Sequence, residues 1–98
     1  MRVMLRARMD TQVANAAAKN GTLQKIVQSM TERLKPEAAY FTASEGERCC
    51  TLVFDMQDSS QLPSIAEPLF EGLGAKIELQ PVMNIEDLQK GFAALQQG

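Results

Sequence analysis

The feature that most constrains the fold is the stretch Glu47 to Met56, which reads Glu-Arg-Cys-Cys-Thr-Leu-Val-Phe-Asp-Met. Leu52, Phe54 and Met56 recur at every second position, and this period is typical of a strand with one buried face. A strand this apolar is not stable alone in water, because its buried face needs a covering layer. The stretch therefore predicts a central strand around which other elements pack.

Three further segments predict strands. Residues 2–9 alternate cleanly, residues 37–44 hold two aromatic residues between small ones, and residues 75–83 alternate until Pro81, which marks an edge strand or its end. A turn at residues 44–47 joins the second of these to the central strand, so this pair is expected to be an antiparallel hairpin. In the first segment, one side holds Val3, Leu5, Ala7 and Met9, and the other holds Arg2, Met4, Arg6 and Arg8.

Helical periodicity fills the intervals between the predicted strands. Residues 12–19 form a helix capped by Asp10 or Thr11, and the stripe from Leu23 to Leu34 predicts the firmest helix. Asn20-Gly21 either separates these two helices or kinks one long helix. A third helix spans residues 62–73, and Pro68 is expected to bend or split it. A last stripe, capped by Asn84 with Asp87, predicts a short C-terminal helix and contains Ile85, Leu88, Phe92 and Leu95.

The order strand, helix, strand, strand, helix, strand, helix is that of an α+β ferredoxin-like βαββαβ fold. We predict one domain over residues 1–98, with a four-stranded antiparallel sheet, helices on one face and an extra C-terminal helix. Helices on one face leave the opposite face of the sheet open, and a second copy of the chain is the simplest cover for it. The expected partner is therefore the protein itself, as a homodimer.

The segment from Arg48 to Met83 also resembles a known superfamily. The run Arg48-Cys49-Cys50, the acidic turn at residues 55–58, the helix ending at residues 69–73 and the strand ending in Pro81-Val82-Met83 look like the dimeric α/β-barrel superfamily. Uncharacterised bacterial members are the most similar, and muconolactone isomerase-like proteins are distantly similar. Small haem-degrading monooxygenases and polyketide cyclases share that superfamily. The resemblance implies two sheets packed face to face with a cleft beside them, and no single activity.

Several classes of function are disfavoured by composition. The chain has no histidine, which removes the usual general base, zinc ligand and axial haem ligand, so no metal and no cofactor are expected. Gly72-Leu73-Gly74 follows a helix, whereas a dinucleotide fingerprint follows a strand. A net charge of -2 with interspersed signs disfavours nucleic acid. No apolar run reaches membrane-spanning length, and no signal sequence is recognisable, so we expect a cytoplasmic protein with reduced Cys49 and Cys50.

Alternation places a set of polar side chains on the side of the sheet away from the helices. We expect Arg6 beside acidic residues there, in a position to orient a ligand carboxylate or enolate. Tyr40 or Asp55 would move a proton if burial shifted its pKa. An alternative is that these charges only neutralise one another at a dimer interface. The predicted ligand-binding residues are Arg6, Arg8, Tyr40, Thr51, Asp55 and Glu78.

Three functions remain open from the sequence. The first is a small dimeric domain that binds a small apolar-acidic molecule in a cleft beside the sheet. The second is an isomerase or cyclase, in which Arg6 stabilises an oxyanion while Tyr40, Asp55 or Glu78 transfers a proton. The third is a ligand-sensing or assembly module that works with another protein. The sequence does not decide whether the protein is an enzyme.

Overall fold

A computed structural model describes residues 1–97 of the chain, so Gly98, the last residue of the predicted domain, lies outside the described residues. The elements follow the predicted order, and both junctions that the sequence left open are resolved: Gly21 separates two helices, and the third helix is continuous through Pro68. The elements are β1 (Arg2–Arg8), α1 (Thr11–Asn20), α2 (Thr22–Leu34), β2 (Ala38–Ser44), β3 (Glu47–Asp55), a 3-10 turn (Ser59–Gln61), α3 (Leu62–Leu73), β4 (Lys76–Pro81) and α4 (Ile85–Gln97).

The four strands form one antiparallel sheet in the order β2-β3-β1-β4, which confirms the predicted ferredoxin-like fold. β1 and β3 are central, as the ferredoxin-like order of the elements predicted. Their register sets Arg6 opposite Thr51 and Leu5 opposite Leu52, so each strand directs one set of side chains to the helices and the other set away from them. β4 ends at Pro81 on an edge of the sheet, where a missing backbone donor is tolerated.

The core lies between the sheet and helices α1, α2 and α3. On β1 the side chains of Val3, Leu5 and Ala7 are completely buried, and on β3 Leu52 and Phe54 are 1% exposed. Helix α3 contributes three buried residues at helical spacing, Ile65, Leu69 and Leu73. The apolar sides that the sequence assigned to the helices are therefore the ones that the helices cover.

Two local features show how the chain accommodates residues that break regular structure. Gly21 ends α1 with φ of 86°, in the left-handed region that glycine tolerates best. In α3, Pro68 lacks the N–H that would bond the carbonyl of Ser64. The Arg33 side chain of α2 donates to that Ser64 oxygen at 3.3 Å instead. The helix is not split, and a side chain of the neighbouring helix supplies a donor to the carbonyl that proline leaves without one.

The C-terminal helix α4 forms as predicted but packs differently from the other helices. Asn84 and Asp87 cap it reciprocally, each backbone N–H donating to the other residue's side chain. None of its described residues is buried. Within residues 1–97, no helix is both long and apolar enough to cross a membrane.

Candidate ligand site on the open sheet face

The open face is the surface of the sheet opposite α1, α2 and α3. Its centre is formed by β1 and β3, where Met4 pairs with Val53 and Arg6 pairs with Thr51. Met4, Val53 and Thr51 are half-buried, whereas Arg6 is exposed. The open face is thus a mixed surface, with apolar side chains beside a guanidinium, and no further element of the described chain covers its centre.

The three arginines of β1 differ in their ionic partners. Arg2 donates to carboxylates of Glu37 and Asp87, each at 2.5 Å. Arg8 donates to Glu45 at 2.7 Å and to Glu47 at 3.1 Å. The positive charges of both side chains are thereby compensated by acidic residues next to β2 and in the first turn of α4. These two arginines form the ion-pair network that the sequence offered as the alternative to a binding site.

Arg6 lies between these two arginines and forms no ion pair within 4.0 Å in the described part of the chain. Its Nη2 donates to the Ser44 hydroxyl at 2.8 Å. The pKa of Arg6 is raised above its ordinary value because the Cys49 side chain accepts a hydrogen bond, and the charges of Glu78 and Glu45 also favour the cation. A guanidinium has five donors, so most of the hydrogen-bonding capacity of Arg6 remains free for a ligand.

Two of the other predicted site residues lie beside Arg6, and a third is one strand further away. Thr51 faces it on β3, and Glu78 faces it on β4. Tyr40 pairs with Thr51 from β2, and its ring is 70% exposed. A shallow cavity of about 60 Å³ lies between the arginine side chains and β4, where it is lined by Arg6, Arg8, Lys76, Ile77 and Glu78.

Asp55 does not lie beside Arg6, although the sequence placed both on the same face. The register sets Asp55 opposite Arg2, four residues from the position opposite Arg6, which is about 13 Å along a strand. Its Oδ1 accepts a hydrogen bond from the amino group of Met1 at 2.6 Å. That contact lowers the pKa of Asp55, and a hydrogen bond from Gln57 acts in the same direction. The predicted juxtaposition failed because sequence assigns a face but not a register.

The adjacent cysteines occupy opposite faces of β3 and are both free thiols, as predicted. Cys50 is part of the core under the helices, and burial raises the pKa of its thiol. Cys49 pairs with Arg8 on the open side of the strand and is 2% exposed. Among residues 1–97, no group of three or more cysteine and acidic side chains is arranged to hold a metal ion.

Sequence reasoning missed two contributors to this surface. Ser44 is the hydroxyl partner of Arg6, and its place at the end of β2, before the tight turn, is the only signal for it. Asp87 was read as a helix cap, and it also binds Arg2. That ion pair brings the first turn of α4 to the end of the open face.

The fold and its accessible sheet face define a small α+β protein of ferredoxin-like architecture. The chain belongs to a family described as a domain of unknown function, DUF3303, whose model matches residues 1–96. No curated protein matches the chain significantly.

Two of the solved structures that match the chain illustrate the shared fold. The de novo designed protein Ferredog-Diesel is 10% identical with a TM-score of 0.51, and the match covers 83% of this chain and 85% of the design. A formyltetrahydrofolate deformylase from Pseudomonas putida KT2440 is 13% identical with a TM-score of 0.55, and the match covers 84% of this chain but 29% of the deformylase. The chain thus spans less than a third of that enzyme. At these identities the similarity supports the fold alone.

Proposed function

We propose that the protein is a homodimeric domain that binds a small apolar-acidic molecule against the open face, with Arg6 contacting the acidic group. The observation that carries this proposal is the difference among the arginines of β1. Arg2 and Arg8 each contact two carboxylates, whereas among the described residues the Arg6 side chain donates a hydrogen bond to the Ser44 hydroxyl and forms no ion pair. A guanidinium between two neutralised neighbours is a suitable partner for a ligand carboxylate, which it can bind through two parallel hydrogen bonds.

The neighbours of Arg6 suit the apolar part of such a ligand. Met4 and Val53 supply a half-buried apolar surface next to it, and the exposed Tyr40 ring stands on the neighbouring strand beyond Thr51. Small-molecule sites generally combine apolar walls with a few polar groups that fix orientation. Thr51 and Ser44 would provide those groups beside the arginine.

Dimerisation supplies the cover that one protomer lacks. In a face-to-face dimer, the open faces of two copies would enclose the space beside Arg6 and exclude water from it. Lower polarity would strengthen the contact between guanidinium and carboxylate. This arrangement agrees with the resemblance to the dimeric α/β-barrel superfamily, including its muconolactone isomerase-like members.

One observation favours an isomerase or cyclase as a second candidate. Glu78 directly faces Arg6 from β4. A carboxylate opposite a guanidinium is able to accept a proton from a ligand while the cation stabilises the resulting enolate. Asp55 is about 13 Å along the strand from this pair, so Glu78 or Tyr40 would carry the proton transfer in that mechanism.

A ligand panel tests binding directly. Aromatic and aliphatic carboxylates, each paired with its neutral amide, are titrated against the protein and followed by thermal shift and calorimetry. We expect carboxylates to raise the melting temperature, their amides to have little effect, and Arg6→Gln to remove the difference. Lys19→Gln is the control for the loss of one positive charge, because Lys19 is an exposed cation in the last turn of α1, outside the open face.

Two results would contradict the binding proposal: a panel without any binding carboxylate, or Arg6→Gln protein that binds as tightly as the original. The second candidate has its own test. If a carboxylate is converted, Glu78→Gln and Tyr40→Phe should reduce kcat, and unchanged turnover in both variants would eliminate the catalytic role.

A further inference from the structure

Helix α4 carries an apolar stripe that its own protomer leaves uncovered. Ile85 is 66% exposed, Phe92 is 55% exposed and Leu95 is 77% exposed. Leu88 is half-buried, and every described residue after it is exposed. A helix of 13 residues is marginally stable by itself in water, and most helices gain stability by packing an apolar face. The stripe therefore needs a cover from outside the protomer.

The dimensions of the protomer show that it exposes more surface than a compact chain of this length. Its radius of gyration is 15.6 Å, against about 13 Å for a compact chain of this length. Its accessible surface is 6507 Å², against about 5,500 Å² for a compact monomer of this mass. The excess of about 1,000 Å² is close to the roughly 800 Å² that each partner buries in a stable protein complex.

The same chain offers an apolar groove at the opposite edge of the sheet. This α2–β2 groove has a volume of about 300 Å³ and is lined on its apolar side by Met9, Leu23, Val27 and Phe41. The Phe41 ring on edge strand β2 is 57% exposed. Natural proteins usually protect such an edge, because exposed apolar edge strands promote aggregation.

We propose that α4 of each copy docks into the α2–β2 groove of a second copy, so that the two protomers of the dimer exchange their C-terminal helices. This inference rests on the homodimer of the proposed function and specifies its contacts. The stripe at positions 85, 88, 92 and 95 has the i, i+3, i+7, i+10 spacing of a helix that binds in a groove.

The arrangement of the two surfaces selects a second copy as the occupant. α4 follows β4 and the groove borders β2, so the whole width of the sheet, about 14 Å, separates them within one protomer. Each chain has one α4 and one α2–β2 groove. In a dimer with a twofold axis, each α4 can therefore fill the groove of the other chain, and the dimer is closed. The Arg2–Asp87 ion pair holds the first turn of α4 at the end of the open face.

Substitutions on both surfaces test the exchange by light scattering across a dilution series. Phe92→Glu on the helix and Phe41→Glu in the groove should each weaken the dimer by about 30-fold per contact, which is about a thousandfold for the two contacts of a symmetric dimer. Ala94→Glu is the matched control, because position 94 is on the side of α4 away from the stripe. It should leave the dimer intact. Circular dichroism verifies that each variant is folded.

Photo-crosslinking identifies the contact without a disruptive charge. Benzoylphenylalanine at position 92 is irradiated in a mixture of nitrogen-14 and nitrogen-15 protein, and the linked peptides are read by mass spectrometry. We expect cross-links that join a nitrogen-14 chain to a nitrogen-15 chain, from position 92 of one to groove residues 23–27 or 41 of the other. Links within one chain, links to other surfaces, or capture of a different protein would overturn the exchange.

The outcomes also separate this inference from the proposed function. If Phe92→Glu and Phe41→Glu remain dimeric, the exchange is wrong and the sheet-to-sheet dimer stands. If the unmodified protein is monomeric at all micromolar concentrations, both the exchange and the homodimer are wrong. Carboxylate binding at Arg6 is measured independently and reports on the ligand site alone.

Discussion

Helices α3 and α4 have nearly the same length and similar apolar stripes, yet only the stripe of α3 is buried within the protomer. α3 buries Ile65, Leu69 and Leu73 against the sheet, whereas α4 buries none of its described residues. An amphipathic pattern therefore specifies that a face will be covered but not which molecule covers it. In α3 the cover is the chain's own sheet. In α4 we propose that it is a second copy.

The largest expected effect comes from truncating one leucine in each helix. Leu69 is fully buried, so Leu69→Ala should lower the free energy of unfolding by about 2–5 kcal/mol. Leu95 is 77% exposed, so Leu95→Ala should change it by no more than about 0.5 kcal/mol in the monomer. Urea unfolding, at a dilution where light scattering gives the monomer mass, measures both. A loss above about 2 kcal/mol for Leu95→Ala in that monomer would show that α4 packs in its own protomer.

The interior glycines of the two helices give a second comparison. A methyl group at Gly91 of α4 would meet no atom within 4 Å, so Gly91→Ala should stabilise that helix by about 0.5–1 kcal/mol through helix propensity. A methyl group at Gly72 of α3 would lie 2.5 Å from Cδ1 of Ile26. Gly72→Ala should therefore gain less, because the Ile26 side chain must move first.

Thermal unfolding of the dilute monomer, followed at the helical band, measures both alanine variants. Equal stabilisation by the two substitutions would contradict the difference in packing. A loss of dimer in Gly91→Ala without a loss of helix would place position 91 against the partner.

A third comparison concerns the support that a helix receives from its neighbour. Arg33 of α2 donates to the Ser64 carbonyl that Pro68 leaves without a helical donor. Arg33→Met should destabilise the protein by about 0.5–1 kcal/mol, since an acceptor loses its partner. In a Pro68→Ala background the new N–H satisfies Ser64, and the same substitution should cost much less. A double-mutant cycle in urea measures the coupling, and purely additive effects would show that the hydrogen bond contributes nothing.

The fold was predictable because each element carries a strong periodic signal. The alternation from Val3 to Ala7 and from Leu52 to Met56 identified two strands and their covered sides, and burial confirms the covered sides. The hairpin turn was also predicted correctly from residues 44–47. In the structure, Glu45 and Gly46 form a two-residue connection between β2 and β3 and both have positive φ. Strong local patterns thus fixed the order and type of the elements.

The site was only partly predictable, because it depends on register and on side-chain partners. Alternation placed Arg6, Thr51 and Glu78 on one face, and the sheet brings them together. It could not show that Asp55 lies opposite Arg2, since the register between β1 and β3 is set by pairing over the whole length of both strands. Nor could it show that Arg2 and Arg8 are neutralised while Arg6 is not.

The smallest expected effect concerns the charge of Asp58, which caps the 3-10 turn immediately before α3. Asp58 accepts the backbone N–H of Ser60 at 2.9 Å before α3, and this hydrogen bond lowers the pKa of Asp58 below its ordinary value of 3.8. Its ionised form therefore stabilises the folded state above about pH 4, and this contribution is lost as the pH falls through the lowered pKa. Asp58→Asn keeps an acceptor oxygen but removes the charge.

The melting temperature of Asp58→Asn should therefore lie below that of the original protein at pH 6, and the two should converge toward pH 2. Asn20 accepts the backbone N–H of Thr22 at 2.9 Å before α2 with a neutral side chain, so Asn20→Ser is the matched control and should give a difference that does not vary with pH over this range. A difference in Asp58→Asn that persists at pH 2 would show that the substitution acts through geometry and not through charge. The charge at the start of α3 would then add nothing to what its buried face already provides, and coverage of the apolar stripe alone would distinguish α3 from α4.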